Sequence, residues 1–547
     1  MFRLIAPVLI GTTLVVPSQA GGQWSTDPSN NLIVGYGLNP ELCSDSAGGC
    51  YITYEENTGY PRQLILHRLN RYGLKVWGGN GVQIVGQLPE QWFAKIIEDG
   101  RGGVLVSYID DEVPVAPPLP FKVRLRVQRV DSSGRIMWDS AGVRVSAAEI
   151  GQGLQSITSD GQGGCLVSWS DSLNILRIQR IDSSGVRVWG DTGVFLANQV
   201  SSSSPAVMSS DLAGGSYIAW RYQQMQHIDS NGIKEWAADG ISLASGIAAL
   251  FVDDSRDVHI FGARFDGVTG GIYSWTKIAN MISPGGNIIW DSVGVLLDTE
   301  KTNYPSKDYS IVVDMDGITH LAWGNDSGDT LATYIQNLRS DGGQILPRRR
   351  MLSLSASQKI NVHVVAGYAS TAIYFWRDSR NPNGVYAQRL DTLGRPLWDS
   401  LDVEICGYPP SPLRGTTDGT GGCIVVGMKD DFSIRAQQVS RNGKLGEIIT
   451  SVNGGNTATP HEYLLFQNYP NPFNSFTIIR YAIPKQGVVV IELYNYLGQK
   501  LRTLVDGFHE PGSYQINLDA EPLASGVYFC ILRVTGDAQL RKLTILR

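Results

Sequence analysis

Seven histidines and six cysteines are the scarce reactive side chains of this 547-residue sequence, and neither set assembles a site by spacing. His67 and His227 occupy strand positions that other copies of an internal repeat fill with Gln or Arg, so they read as repeat variation. No Ser/His/Asp order suits an activated nucleophile. There is no Cys-x-x-Cys pair and no Cys/His cluster of the kind that holds zinc. Cys50, Cys165 and Cys423 each follow a Gly-Gly pair at one repeat position, where Val104 and Ser216 also stand, and read as small apolar residues. Cys43 with Cys50, or Cys406 with Cys423, could pair across a turn; both pairs are expected to stay reduced. Asp314-Met315-Asp316-Gly317 opens like a calcium loop but lacks the later ligands of the twelve-residue frame, and reads as a turn. No catalytic residue, metal site or cofactor is therefore assigned.

Carboxylates give a more suggestive pattern. Acidic residues recur just after the second apolar run of each repeat: Glu55 and Glu56, Asp110 and Asp111, Asp171, Asp326, Asp378, Asp430 and Asp431. Aromatic residues accompany them at Tyr54, Tyr108, Trp169, Trp220, Trp323 and Trp376. Two readings stand. Glu55, Asp110, Asp111, Asp171, Asp326, Asp378 and Asp430 could form a polar collar suited to a carbohydrate, a peptide or a cation. Alternatively, the acids solvate loop entrances while the aromatics pack between repeats. The intervening loops, such as Asp110 to Lys122, Asn198 to Pro205 and Arg377 to Gly384, are long and varied, as binding loops on a rigid scaffold are.

What positions these residues is a repeat of about fifty residues. Its clearest copies run Val127 to Trp138, Ile178 to Trp189 and Met225 to Trp236, each with Asp-Ser-Ser-Gly or Asp-Ser-Asn-Gly at its centre. Weaker copies keep the Gly-to-Trp spacing at Gly73/Trp77, Gly286/Trp290 and Gly394/Trp398, with remnants at Asn337 to Leu346 and Gln437 to Leu445. A second motif, Asp-Gly-x-Gly-Gly, lies at Asp99 to Gly103, Asp160 to Gly164 and Asp418 to Gly422, with related forms around Asp45, Asp211, Asp254, Asp316 and Gly367. Alternation of period two in Leu176 to Ile181 argues for strands, and the Asp-Gly and Ser-Gly pairs supply hairpin turns. Four strands per unit, the last carrying the Trp, predict an all-β fold: a β-propeller of about eight four-stranded blades over residues 21–452. The Gly-x-x-x-Trp element resembles the tryptophan-docking motif of quinoprotein-like propellers and the Asp-box of sialidase-like ones. In both families the motif is a structural turn, so the resemblance carries no chemistry. The adjacent cysteine pair common among quinoproteins is missing.

Composition bounds the rest. Residues 1–20 read as a signal peptide: Arg3, an apolar run from Leu4 to Val16, then small residues at Ser18 and Ala20 that favour cleavage after Ala20. No later segment is apolar for long enough to span a bilayer as a helix, so no transmembrane segment is expected in the mature protein. The net charge of −6 lacks the basic footprint of a nucleic-acid binder. Gly, Asn, Thr and Pro mark a linker at 453–462.

Residues 463–547 read as a small antiparallel sandwich with strands at Phe476 to Ile483, Val488 to Tyr494, Ser513 to Leu518, Val527 to Val534 and Leu540 to Leu546. Leu465-Phe-Gln-Asn468-Tyr-Pro470-Asn471-Pro472-Phe473-Asn474 resembles the opening of the type A C-terminal sorting domain of type IX secretion cargo. The Leu-Gly498-Gln turn, Leu523-Ala-Ser-Gly526-Val-Tyr-Phe529 and the ending with Lys542 extend the likeness over the last 85 residues. Ser475 and Leu518 stand where Pro and Trp are common. A related immunoglobulin-like sandwich occurs in flagellar hook-capping proteins. The resemblance implies an outer membrane, a partnership with type IX secretion machinery, and a secreted or cell-surface destination. A binding or adhesion module for a polysaccharide or surface protein is the reading for the body. A polysaccharide-active glycosidase or lyase is the alternative, distinguished by a close pair of carboxylates.

Overall fold

The computed structural model describes residues 24–446 and 463–545, except 57–61, 86–89, 113–121, 149–150, 199–204, 221–222, 303–307, 326–331, 354, 356, 368–369, 381–382, 399–401, 467, 469–470, 472, 474–475, 510–511, 520–522 and 535–536. The expected signal peptide and linker lie outside the described residues. Every described element is a strand.

Among the described residues the body folds into eight antiparallel sheets, numbered here as blades 1 to 8. Blade 3 is typical: Gln152–Ser159, Cys165–Asp171, Leu176–Ile181 and Val194–Ala197, paired in sequence order. Blades 2 and 4 to 7 repeat this plan. Blades 1 and 8 share the strand Leu32–Ser44. Its first half closes blade 8 against Ser433–Val439, and its second half opens blade 1 against Cys50–Glu56. The first strand of each blade packs on that of the next, and Leu413–Thr417 packs on Leu32–Ser44 to complete the ring. This is a propeller-like arrangement.

Burial explains the closure. Second strands such as Cys165–Asp171 are covered on both faces, so they read as continuous apolar runs. A separate apolar core lies between each adjacent pair of blades. One joins blades 2 and 3 through Leu105, Val127, Val167 and Trp169, and another joins blades 8 and 1 through Val426, Ile434, Ile52 and Leu69. Each fully buried Ile, Leu or Val contributes roughly 1.5–3 kcal/mol. Stability is therefore spread round a ring instead of residing in one centre.

Two corrections to the strand assignment follow. The repeat Trp does not lie in the fourth strand; Trp138 occupies the connection before the short strand Val143–Arg144. Its backbone must leave the sheet so that the indole can cross to the next blade. In the tail, Lys500–His509 forms a strand beside Gly487–Asn495 although Gly507 suggested a turn, because a glycine with extended backbone is tolerated in an exposed outer strand.

The tail has a three-stranded sheet (Leu464–Leu465, Phe476–Ile483, Gly512–Asp519) and a four-stranded one ordered Lys500–His509, Gly487–Asn495, Gly526–Val534, Asp537–Ile545. Ile479, Tyr481, Val489, Ile491, Leu518, Leu532 and Leu543 fill the core between them.

Candidate functional site

The two ends of the blade ring are built differently. At one end, the Asp-Gly turns form a structural belt. Asp160 Oδ1 accepts the backbone N–H groups of Gln162 and Gly164, both at 2.8 Å, which fixes the turn. Its Oδ2 takes Arg180 Nε and Nη2 at 3.1 and 3.0 Å. Arg180 Nη1 then reaches the carbonyl of Ser230 in the next blade, at 3.1 Å. The same carbonyl accepts Trp189 Nε1 at 3.1 Å. Asp99 with Arg129 and Asp45 with Arg68 repeat the relay. His227, His259 and His320 stand in for the Arg against Asp211, Asp253 and Asp314. In the fifth and sixth units the turn is thus held by Asp253 and Asp314, next to the Asp254 and Asp316 that marked these copies in the sequence. Of the two repeat histidines, His227 is thus held by the turn Asp, and His67 Nε2 lies 3.3 Å from the Tyr54 hydroxyl.

The opposite end carries the acidic positions, at the junction of second and third strands. Glu55 is buried in blade 1, where Oε1 accepts Asn39 Nδ2 and the Phe93 N–H, both at 3.0 Å, and Oε2 accepts Arg62 Nη1 at 3.2 Å. Asp110 is buried against Arg126. Asp171 caps its own turn through the N–H groups of Leu173 and Ile175, with Arg177 Nε 3.9 Å away. Asp378 accepts Trp376 Nε1 at 2.9 Å and Arg380 Nη2 at 2.5 Å. These hydrogen bonds outweigh burial and hold its carboxyl at about 2. Arg380 also binds Asp402 at 2.7 Å, whose carboxyl burial pushes upward. Asp430 is exposed, Asp326 lies outside the described residues, and nothing of the Asp111 side chain is described. Of the three long loops picked out in the sequence, Asp110 to Lys122 and Asn198 to Pro205 fall largely outside them, whereas Arg377 to Gly384 is described except for 381–382.

The accompanying aromatics, Tyr54, Tyr108, Trp169, Trp220, Trp323 and Trp376, bury their rings between blades. Other rings stand in solvent at this end: Tyr36 (58 %), Phe93 (58 %) and Phe432 (45 %) around blades 8, 1 and 2, with Phe265 (48 %) and Tyr273 (41 %) on blade 5. Phe93 sits at φ 52°, a strained setting for a bulky residue, and its N–H is held by Glu55. Blade 5 extends its central hairpin, Val258–Thr269 with Ile272–Ile282, well beyond its counterparts. On it Phe265 packs 5.0 Å from Trp275 and 5.9 Å from Tyr273, ring centre to ring centre.

A third group lies on the inner strands, and sequence reading missed it. Glu41 Oε1 accepts Lys95 Nζ at 2.5 Å, and its two oxygens take Arg414 Nη2 and Nε at 3.2 and 3.1 Å. These residues come from blades 1, 2 and 8. His363 of blade 7 stacks on Phe375, and burial with the nearby Arg414 charge lowers it to about 4, so it is neutral. All four stand four residues before the Asp of the turn or its equivalent (Asp45, Asp99, Gly367, Asp418). Aligning the repeats at that Asp is the signal that could have found them. All six cysteines are free. Among the described residues no three His, Cys, Asp or Glu side chains gather as metal ligands, and no helix is long and apolar enough to cross a membrane.

In the tail, the sorting-motif residues pin the final strand. Phe473 enters the core and its N–H binds the Thr544 carbonyl at 3.0 Å. Asn471 Oδ1 accepts the Thr544 N–H at 2.7 Å, and buried Asn468 binds Thr477 Oγ1 at 2.9 Å. Gly498 turns the hairpin at φ 76°, Gly526 opens the strand Gly526–Val534, and Lys542 is exposed on the last strand. Pro470, Pro472 and Asn474 lie outside the described residues.

Residues 467–546 match the secretion system C-terminal sorting domain, so the chain is exported through type IX secretion to the cell surface or beyond. No curated protein is detectably similar to it. Among solved structures it is similar to the BP39L lectin of Burkholderia pseudomallei, at 11% identity over 67% of this chain and 98% of the lectin, with TM-score 0.42. It is also similar to the polysaccharide lyase Uly1 (10%, covering 70% and 94%, TM-score 0.38). The endo-arabinase of Bacteroides thetaiotaomicron VPI-5482 is a third (11%, 58% and 96%, TM-score 0.27). Likenesses this distant carry no argument about ligand or reaction.

Proposed function

We propose that the protein is an extracellular binding or adhesion module: a β-propeller that captures polysaccharide at the end where second and third strands meet, delivered by an immunoglobulin-like sorting tail after a signal peptide. The carrying observation is the exposure of Tyr36, Phe93, Phe432, Phe265 and Tyr273 at that end while the acids beside them are tied up in ion pairs and turns. Exposed rings supply faces for sugar stacking. Buried, paired carboxylates such as Glu55 and Asp110 serve to shape the rim, and Asp430, the exposed exception, is the acid placed to meet a hydroxyl.

A polysaccharide-active enzyme is the second reading, favoured by one pair. Asp378 and Asp402 flank Arg380, and their acidities are pushed in opposite directions, as in acid/base sites. Their shared guanidinium and deep burial oppose it, because an acid/base pair must reach the substrate.

The deciding experiment is a binding and product screen of the exported protein on diverse neutral polysaccharides. Retention without fragment release, weakened tenfold or more by Phe265→Ala with Tyr273→Ala, is expected; tenfold corresponds to about 1.4 kcal/mol. Fragment release abolished by Asp378→Asn would overturn this reading in favour of the enzyme.

A further inference from the structure

We infer that the junction between blades 6 and 7, at the end bearing the tryptophan belt, is a second binding groove, selective for an acidic polysaccharide. At six junctions the belt is built one way: an indole from one blade lies against a left-handed glycine of the next. Trp77 on Gly134, Trp138 on Gly185 and Trp290 on Gly342 are examples, with Nε1 capping a carbonyl beside that glycine. Blade 6 breaks the series. Leu346 stands in the Trp position, and Gly394 meets Arg350 Cδ, Ile335 and Leu346 instead of an indole. The shortened side chain leaves an open groove of about 340 Å³ lined by Leu346, Pro347, Arg348, Arg349, Arg350 and Leu393.

The lining divides by chemistry. Leu346, Pro347 and exposed Leu393 make an apolar floor. Arg349 is anchored, paired with Asp298 and lying 4.3 Å over the Tyr334 ring. Arg348 and Arg350 are exposed, and among the described residues the one side-chain hydrogen bond of Arg350 is to the Leu393 carbonyl, at 3.4 Å. Three consecutive arginines are conspicuous in a chain of net charge −6. A guanidinium fork matches a carboxylate or sulfate in two-point geometry, and an apolar floor suits the carbon face of a sugar ring. Outside the cell, where export delivers this chain, a glycan bearing such groups meets both halves of the groove. This site is separate from the aromatic rim and does not depend on it.

The test uses the full exported chain, with polygalacturonate as the acidic probe and dextran as the neutral one. Wild-type protein is expected to bind polygalacturonate and to release it as NaCl rises, since exposed pairs are screened. Arg348→Glu with Arg350→Glu should weaken binding at least tenfold and leave any retention by the aromatic rim unchanged. Leu346→Trp tests the groove without touching charge. An indole there reproduces the other junctions, so the variant should fold, and it should lose binding severalfold by filling the floor. Binding unaltered in both variants would overturn the inference. So would an equal loss of dextran or of duplex DNA binding in the arginine variant, or no affinity for polygalacturonate at all.

Discussion

Trp24 lies against Gly73 and gives its indole N–H to the Arg71 carbonyl 2.8 Å away, so the start of the described chain supplies the belt tryptophan for the closing blade. The sequence of blade 8 has no Trp at the equivalent place; Glu447 stands four residues after Gly443. The two ends of the body are joined by the shared strand Leu32–Ser44 and again at Trp24, whose indole lies on blade 1 while its carbonyl lies beside Gly446 of blade 8.

Replacement of Trp24 by Ala should cost about 3–5 kcal/mol, the usual range for emptying a buried Trp site. Urea unfolding of the body measures it, with destabilisation comparable to that from Trp189→Ala. A midpoint unmoved from wild type would mean that the ring closes without the indole.

The belt acids give a second expectation. Asp160→Asn keeps the turn acceptor but removes the charge facing buried Arg180, and breaking such a pair costs about 3–5 kcal/mol. Exposed Asp239→Asn should change stability by less than about 0.5 kcal/mol. Equal denaturation midpoints for the two variants would count against the relay.

Glu98 predicts a pH effect. Burial raises its carboxyl to about 7, with the neighbouring Asp99 and Asp45 adding to the rise and the Ser46 hydroxyl, 2.5 Å away, opposing it. The unfolded carboxyl loses its proton near 4.5, so between about 4.5 and 7 the folded state holds more protons. Stability therefore falls as pH rises through that window and stays lower above it. Glu98→Gln keeps an acceptor for Ser46 and removes the charge. It should stabilise the protein on the order of 2 kcal/mol at pH 8 and hardly at all at pH 4. Thermal melts across this range that show no pH-dependent gap would refute the assignment.

Much of the scaffold could be read from local patterns, because the devices that build it are local. The Asp of each turn binds N–H groups two and four residues on, and the Gly before each Trp needs a left-handed backbone, so both leave a fixed spacing. Ring closure leaves none. Trp24 precedes the repeat, and Glu41 meets Arg414 across 373 residues. Exposure was equally hard to infer. The pattern leaves Trp169 and Trp376 open to a rim or a packing role, and they sit in strands covered on both faces, while Phe93 and Phe265 are exposed by a strand bulge and a lengthened hairpin. Acids such as Glu55 were placed at the correct end, yet their partners Asn39, Arg62 and Phe93 come from three separate segments.

Export makes the last prediction. Phe473, Asn471 and the final strand Asp537–Ile545 hold one another through Thr544, so the sorting motif acts as a clamp on the end of the chain. Phe473→Ala empties a buried site and should cost the tail about 3–5 kcal/mol, a large share of what a domain this small can have. A tail so weakened should lose the folded face by which the secretion machinery takes it, as should deletion of 463–547. Cell fractionation is expected to find both variants retained inside the envelope, with the blades intact by limited proteolysis because their cores lie in separate sheets. Surface delivery of the deletion at the wild-type level would show that export does not depend on the tail. Delivery of Phe473→Ala alone would place recognition in the primary sequence of the tail, with its fold dispensable.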